Sequence, residues 1–150
     1  MAYWLVKTEP DVFSIDDLAR DKVTAWTGVR NYQARNFLRE MALGDEVLIY
    51  HSNAEPSGVA GVAVVCCTAK ADETQFDPSS EYFDPKATRE APRWFCPDLK
   101  FVRRLPELIP LAELKASKAL TGLILLQKGS RLSVIPVPEK HFKEIVRMAA

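Results

Sequence analysis

The groups best suited to recognise a ligand are concentrated between Trp26 and Leu38. Trp26, Arg30 and Asn31 put a large flat ring, a fork of donors and a planar amide within a few residues of one another. Gly28 lies between them. A ring supplies a stacking face. A guanidinium suits phosphate or carbonyl oxygens, and an amide both donates and accepts. That combination fits a flat polar ligand such as a nucleobase. Each residue also has a plainer role open to it. Trp26 can be a core aromatic, Arg30 one half of a structural pair, and Asn31 the cap of the helix that follows. Two distant segments carry compatible groups, Tyr50-His51-Ser52 and Arg131-Leu132-Ser133. Their hydroxyls, imidazole and guanidinium could add contacts to a base edge. Lys7 offers a point charge for phosphate.

Catalysis finds less support. His51 and Ser52 are neighbours on a predicted strand, so they point to opposite faces and pair poorly as base and nucleophile. Asp45 could orient a histidine, but nothing in the spacing places it there. The cysteines Cys66, Cys67 and Cys96 form no C-x-x-C spacing, and His51 and His141 are the two histidines. No metal and no cofactor is expected. The odd cysteine number and the absence of a secretory leader or long apolar run point to an intracellular, cytoplasmic protein, nuclear in a eukaryote.

A chain of 150 residues is read as one domain, 1–150, long enough for a substantial core. Lys plus Arg and Asp plus Glu both number 20, giving zero formal net charge. Bulk charge therefore does not announce a nucleic-acid binder. Such a role must rest on a local patch and a pocket.

The elements that would position these groups follow from pattern. Tyr3 to Thr8 alternates as a strand, with Trp4 and Val6 on one face, and Pro10 stops it. Ser14 caps a short helix. Val23 to Trp26 is briefly extended. Asn31 begins a helix to about Ala42, with Gly44 placed to end it. Ala34, Phe37, Leu38 and Met41 form its apolar stripe. Tyr32, Arg35, Asn36 and Arg39 form the opposite face, either a solvated surface or a phosphate-contacting edge. Glu46 to Ser52 and Gly58 to Ala69 read as a hairpin, with Gly61 marking a bulge or close approach. Asp72 to Pro92 reads as a long loop pinned by Phe76, Tyr82 and Phe83. Arg93 to Leu105 returns to strand, with Trp94 as one of its anchors. A short helix runs to about Ala116, and Leu120 to Leu126 is ambiguous. A strand near Val134 and a last helix after Pro138 close the chain. This is an α+β pattern, a small curved sheet or barrel of about five to six strands flanked by short helices.

Taken together, several segments resemble the EVE domain family. They are Tyr3 to Pro10, Trp26 with Gly28 to Asn36, Gly44-Asp45, Tyr50 to Ser52, Pro92 to Trp94 and Ser130 to Val134. Their order and combination are specific, although each alone is weak. The resemblance implies a PUA-like β-barrel. It also implies a binding module for DNA or RNA that holds a modified base, such as a methylated cytosine, in an aromatic-walled pocket. The base-binding candidates are then Trp26, Arg30, Asn31, Tyr50, His51, Ser52, Arg131 and Ser133, with Lys7, Arg35 and Arg39 for phosphate. Two alternatives stay open. One is a hydrolase of modified nucleosides, the activity of some ASCH-type relatives, with Lys7 and Glu9 as a candidate lysine–glutamate site. The other is a protein-interaction module.

Overall fold

The structure is a computed structural model that describes residues 1–149. Six strands make one mixed sheet: β1 (Tyr3–Thr8), β2 (Val23–Ala25), β3 (Glu46–His51), β4 (Gly58–Ala71), β5 (Phe95–Pro110) and β6 (Val134–Pro136). Their spatial order is β2-β5-β4-β3-β1-β6. β1 and β3 are parallel, and the other pairs are antiparallel. The expected α+β sheet is present. Among the described residues its edge strands β2 and β6 do not pair with each other, so the sheet is not closed into a barrel. Both edge strands have only three residues. Pairing of β4 with β5 shifts register repeatedly, and a bulge of this kind bends a strand and deepens its twist.

Helices cover both faces. α1 (Ile15–Asp21) and α2 (Tyr32–Glu40) lie on one side, and α3 (Leu111–Ala116) and α4 (Glu139–Met148) on the other. Strand alternation sorts the core accordingly. Trp4, Val6, Val47 and Ile49 pack with Leu18, Ala34 and Leu38. Leu5, Leu48 and Tyr50 pack with Leu114, Phe142 and Ile145. α1 starts with a reciprocal capping box, in which Ser14 Oγ accepts from Asp17 N–H and the Asp17 carboxylate accepts from Ser14 N–H.

Three segments differ from expectation. β5 runs on past Leu105 to Pro110, because its far half still pairs with β4 at Val59–Ile109 and Gly58–Pro110. Leu120 to Leu126 forms two short 3-10 turns, Lys118–Leu120 and Ile124–Leu126, rather than one helix or strand. Phe83 does not anchor the long loop, for it is 39% exposed. Gly61 behaves as expected. A Cβ there would lie 2.4 Å from Ile15 Cδ1 and 2.8 Å from the Arg103 carbonyl, so α1 sits directly on the strand backbone.

Candidate nucleic-acid interface

A cavity of about 500 Å³ opens where β1 ends, β2 ends and the segment before β6 meet. That size lies within the ~300–1,000 Å³ of ordinary ligand pockets. Each wall arrives through backbone pairing. The amide of Lys7 donates to the Ser133 carbonyl at 2.8 Å, which brings Ser133 beside the end of β1. The Trp26 amide donates to the Pro97 carbonyl at 2.9 Å, which fixes Trp26 to β5. Beyond β1 the chain folds back tightly, with the Val12 and Phe13 amides both donating to the Glu9 carbonyl at 2.9 Å. Phe13 then meets Trp26 edge to face, ring centres 6.1 Å apart and planes at 84°.

Of the residues proposed from the sequence, Lys7, Trp26, Arg30 and Ser133 line this one cavity. Trp26 is 7% exposed, so most of its ring is core and only part forms the wall. Burial lowers the pKa of the Lys7 ammonium, whose Nζ sits 6.0 Å from the centre of the Tyr50 ring.

The others are placed elsewhere. Asn31 caps α2, its side-chain oxygen accepting from Ala34 N–H at 2.9 Å. Tyr50 is buried in the core on the other face of the sheet. His51 Nε2 accepts from the Ile15 amide at 3.1 Å and so holds the start of α1. Burial lowers the His51 pKa, partly offset by the charge of Asp16. Ser52 contributes a backbone bond to the Thr8 carbonyl. Arg131 is exposed and outside the lining. Arg35 donates to the Arg93 carbonyl, and Arg39 lies over the Phe95 ring at 4.4 Å. The basic face of α2 therefore packs on the chain around Trp94. Trp94 itself is buried and stacks on Tyr32 at 4.8 Å.

Arg30 lines the cavity, but its N–H groups are engaged within the protein. Nε donates to the Tyr82 carbonyl. Nη1 donates to the Val29 carbonyl and Asp72, and Nη2 to Thr74 Oγ1 and again to the Tyr82 carbonyl. A guanidinium carries five donors, and these contacts use them all. Its partner Asp72 has a side chain only 1% exposed. Burial would raise the Asp72 pKa. Hydrogen bonds from Thr74, the Gly28 amide and Arg30, with the charge of Arg30, outweigh burial and hold it below the usual carboxylate range. The pair thus fixes the cavity lip at Gly28 to Arg30 against the loop after β4.

That loop supplies a wall the sequence analysis did not assign. Tyr82 lines the cavity, and its ring lies flat against Gly28, where a Cβ would come within 2.8 Å of it. Gly28 has φ +86°, open to glycine at no steric cost. Glu9, Thr8, Phe13 and Thr27 complete the nearby lining. The adjacency of Glu9 to Lys7 in the chain was a usable signal for Glu9. Tyr82 is 54 positions from Gly28 in the sequence, and no local pattern links the two.

The EVE domain family matches residues 2–148. Human thymocyte nuclear protein 1 is 39% identical over 98% of this chain and 73% of its own length. A crystal structure of a Pseudomonas syringae protein, 48% identical, superposes with a TM-score of 0.97 and covers 99% of this chain and 100% of that one. Human THYN1 protein, solved in complex with 5-methylcytosine-containing DNA, is 38% identical with a TM-score of 0.94, covering 99% of this chain and 98% of that one. With the α+β, PUA-like sheet and a match across nearly its whole length, the chain belongs to the EVE domain family.

Proposed function

We propose that the chain is a single-domain module that binds nucleic acid and reads a modified base turned out of its strand, with 5-methylcytosine in DNA the first candidate. The observation that carries this reading is a cavity walled by Trp26 and Tyr82 and edged by Lys7 and Ser133. It lies in a fold that a 38% identical human relative presents to 5-methylcytosine-containing DNA. Extruding a base costs a few kcal/mol. Stacking on an aromatic face returns ~1–3 kcal/mol, so both walls matter. Val12, Phe13 and Val29 offer apolar lining to a methyl group, a contact worth ~1–3 kcal/mol. Lys7 supplies the cation, since Arg30 is spent on the protein itself. An intracellular setting accords with three free cysteines.

Titrating duplexes that differ only in 5-methylcytosine or cytosine at one position tests the reading. Wild type should favour the methylated site by roughly tenfold, and Trp26→Phe, which keeps a ring in the core, should reduce that preference. Equal, weak affinity for both duplexes would refute it. A hydrolytic reading keeps one observation in its favour, that Lys7 and Glu9 line the same cavity. Product released from modified nucleosides, and lost in Lys7→Ala, would establish it.

A further inference from the structure

We infer that Glu9 makes the cavity selective for bases that carry an exocyclic amino group over those with a carbonyl at the same position. It would accept 5-methylcytosine and reject thymine, although both carry the same methyl. The inference rests on the reading of the cavity as a modified-base site and adds to it the group that chooses the base.

Few side chains that line the cavity can tell an amino group from a carbonyl. Arg30 has no free donor. The Thr8 hydroxyl is committed to the Phe13 carbonyl at 2.7 Å. The hydroxyls of Thr24, Thr27, Ser133 and Tyr82 can each donate or accept, so they adapt to either base, and the Trp26 indole N–H, like Lys7, offers no acceptor. Lys7 only donates, which suits a ring carbonyl that cytosine and thymine share. Glu9 is the one carboxylate in the lining. It accepts and cannot donate, so it favours an amino group and repels a carbonyl oxygen. Carboxylates read cytosine in this way at its amino group.

Glu9 is also held in place. Its carbonyl is fixed by the two amides of the Val12–Phe13 turn, both at 2.9 Å. Its Oε1 accepts from Asn53 Nδ2 at 3.2 Å, which orients the group and leaves Oε2 for a ligand. The residue is exposed, so occupying it needs no rearrangement of the core.

The test uses duplexes with 5-methylcytosine, cytosine or thymine opposite an abasic site, so that no pairing energy differs among them. Wild type, Glu9→Gln and Asp11→Asn are titrated at one salt concentration. Asp11→Asn removes a nearby exposed carboxylate outside the lining and controls for general charge. Wild type and Asp11→Asn should prefer 5-methylcytosine to thymine by about tenfold, the size of one charge-assisted hydrogen bond. Glu9→Gln, whose amide can donate or accept, should bring that ratio near unity while preserving the preference for 5-methylcytosine over cytosine. A 5-methylcytosine to thymine ratio unchanged in Glu9→Gln, or absent in wild type, would overturn the inference. Loss of the methylcytosine-over-cytosine preference in wild type is a different result, and it strikes the base-reading function itself.

Discussion

At the scale of single residues, capping and burial decide which polar groups remain available to a ligand. Asn31 and His51 have the chemistry to read a base, yet each is used by a helix start, one at α2 and one at α1. His51 and His141 are both buried, and burial lowers both pKa values, for His141 with help from the charge of Lys140. Below the free imidazole value of 6.5, the unfolded chain takes up protons that the folded chain resists. Their contribution to stability is therefore complete above that pH and is lost as pH falls through the lowered values. Urea midpoints should drop between pH 7 and pH 5, and His141→Leu should flatten the dependence. Gly28→Ala tests the cavity lip. A left-handed φ costs an L-residue ~1–2 kcal/mol, and the new methyl would press on Tyr82. We expect a melting temperature lower by about 2–8 °C and weaker binding of methylated DNA.

At the scale of elements, the segment between β4 and β5 is ordered by side chains rather than by regular structure. Gln75 is fully buried. Its amide donates to the Asp72 and Trp94 carbonyls, and its oxygen accepts from the Arg93 and Trp94 amides. Asp84 accepts from Trp94 Nε1 at 2.8 Å. Asp72→Ala should leave Arg30 with a missing partner in a site where its side chain is 22% exposed. Breaking such a pair costs about 3 kcal/mol, so the melting temperature should fall by roughly 6–12 °C. Amide exchange should quicken from Thr74 to Tyr82 before it does in β3. The loop was legible in the sequence as a loop, through its prolines and polar residues. Its anchors were not, since Asp72, Gln75 and Asp84 look like solvated residues until their partners across the chain are known. β1, β3 and both sides of the Gly58 turn were legible because alternation and glycine act locally. The far half of β5 was not, because charged residues and Pro106 mask a strand that pairing with β4 sustains.

At the scale of the whole molecule, a sheet covered on both faces leaves the candidate cavity at one end, where strand ends and a long loop converge. Gly61→Ala would push α1 off the sheet there, an overpacking cost of ~1–3 kcal/mol visible in thermal melts. Trp26, Lys7 and Ser133 were identifiable from residue type; pairing of β1 with the segment before β6 joins Lys7 to Ser133, and the bond from Trp26 to Pro97 of β5 brings in the ring. The basic face of α2 was equally visible in the sequence, but it packs on Tyr32, Arg93 and Phe95 instead of the cavity. The two surfaces give the most direct test of the account. Amide chemical-shift changes, recorded while a 5-methylcytosine duplex is added, should cluster at Thr27, Gly28, Tyr82 and Ser133. They should weaken when cytosine replaces the methylated base. Changes confined to Arg35 and Arg39 on α2, indifferent to the methyl group, would contradict it.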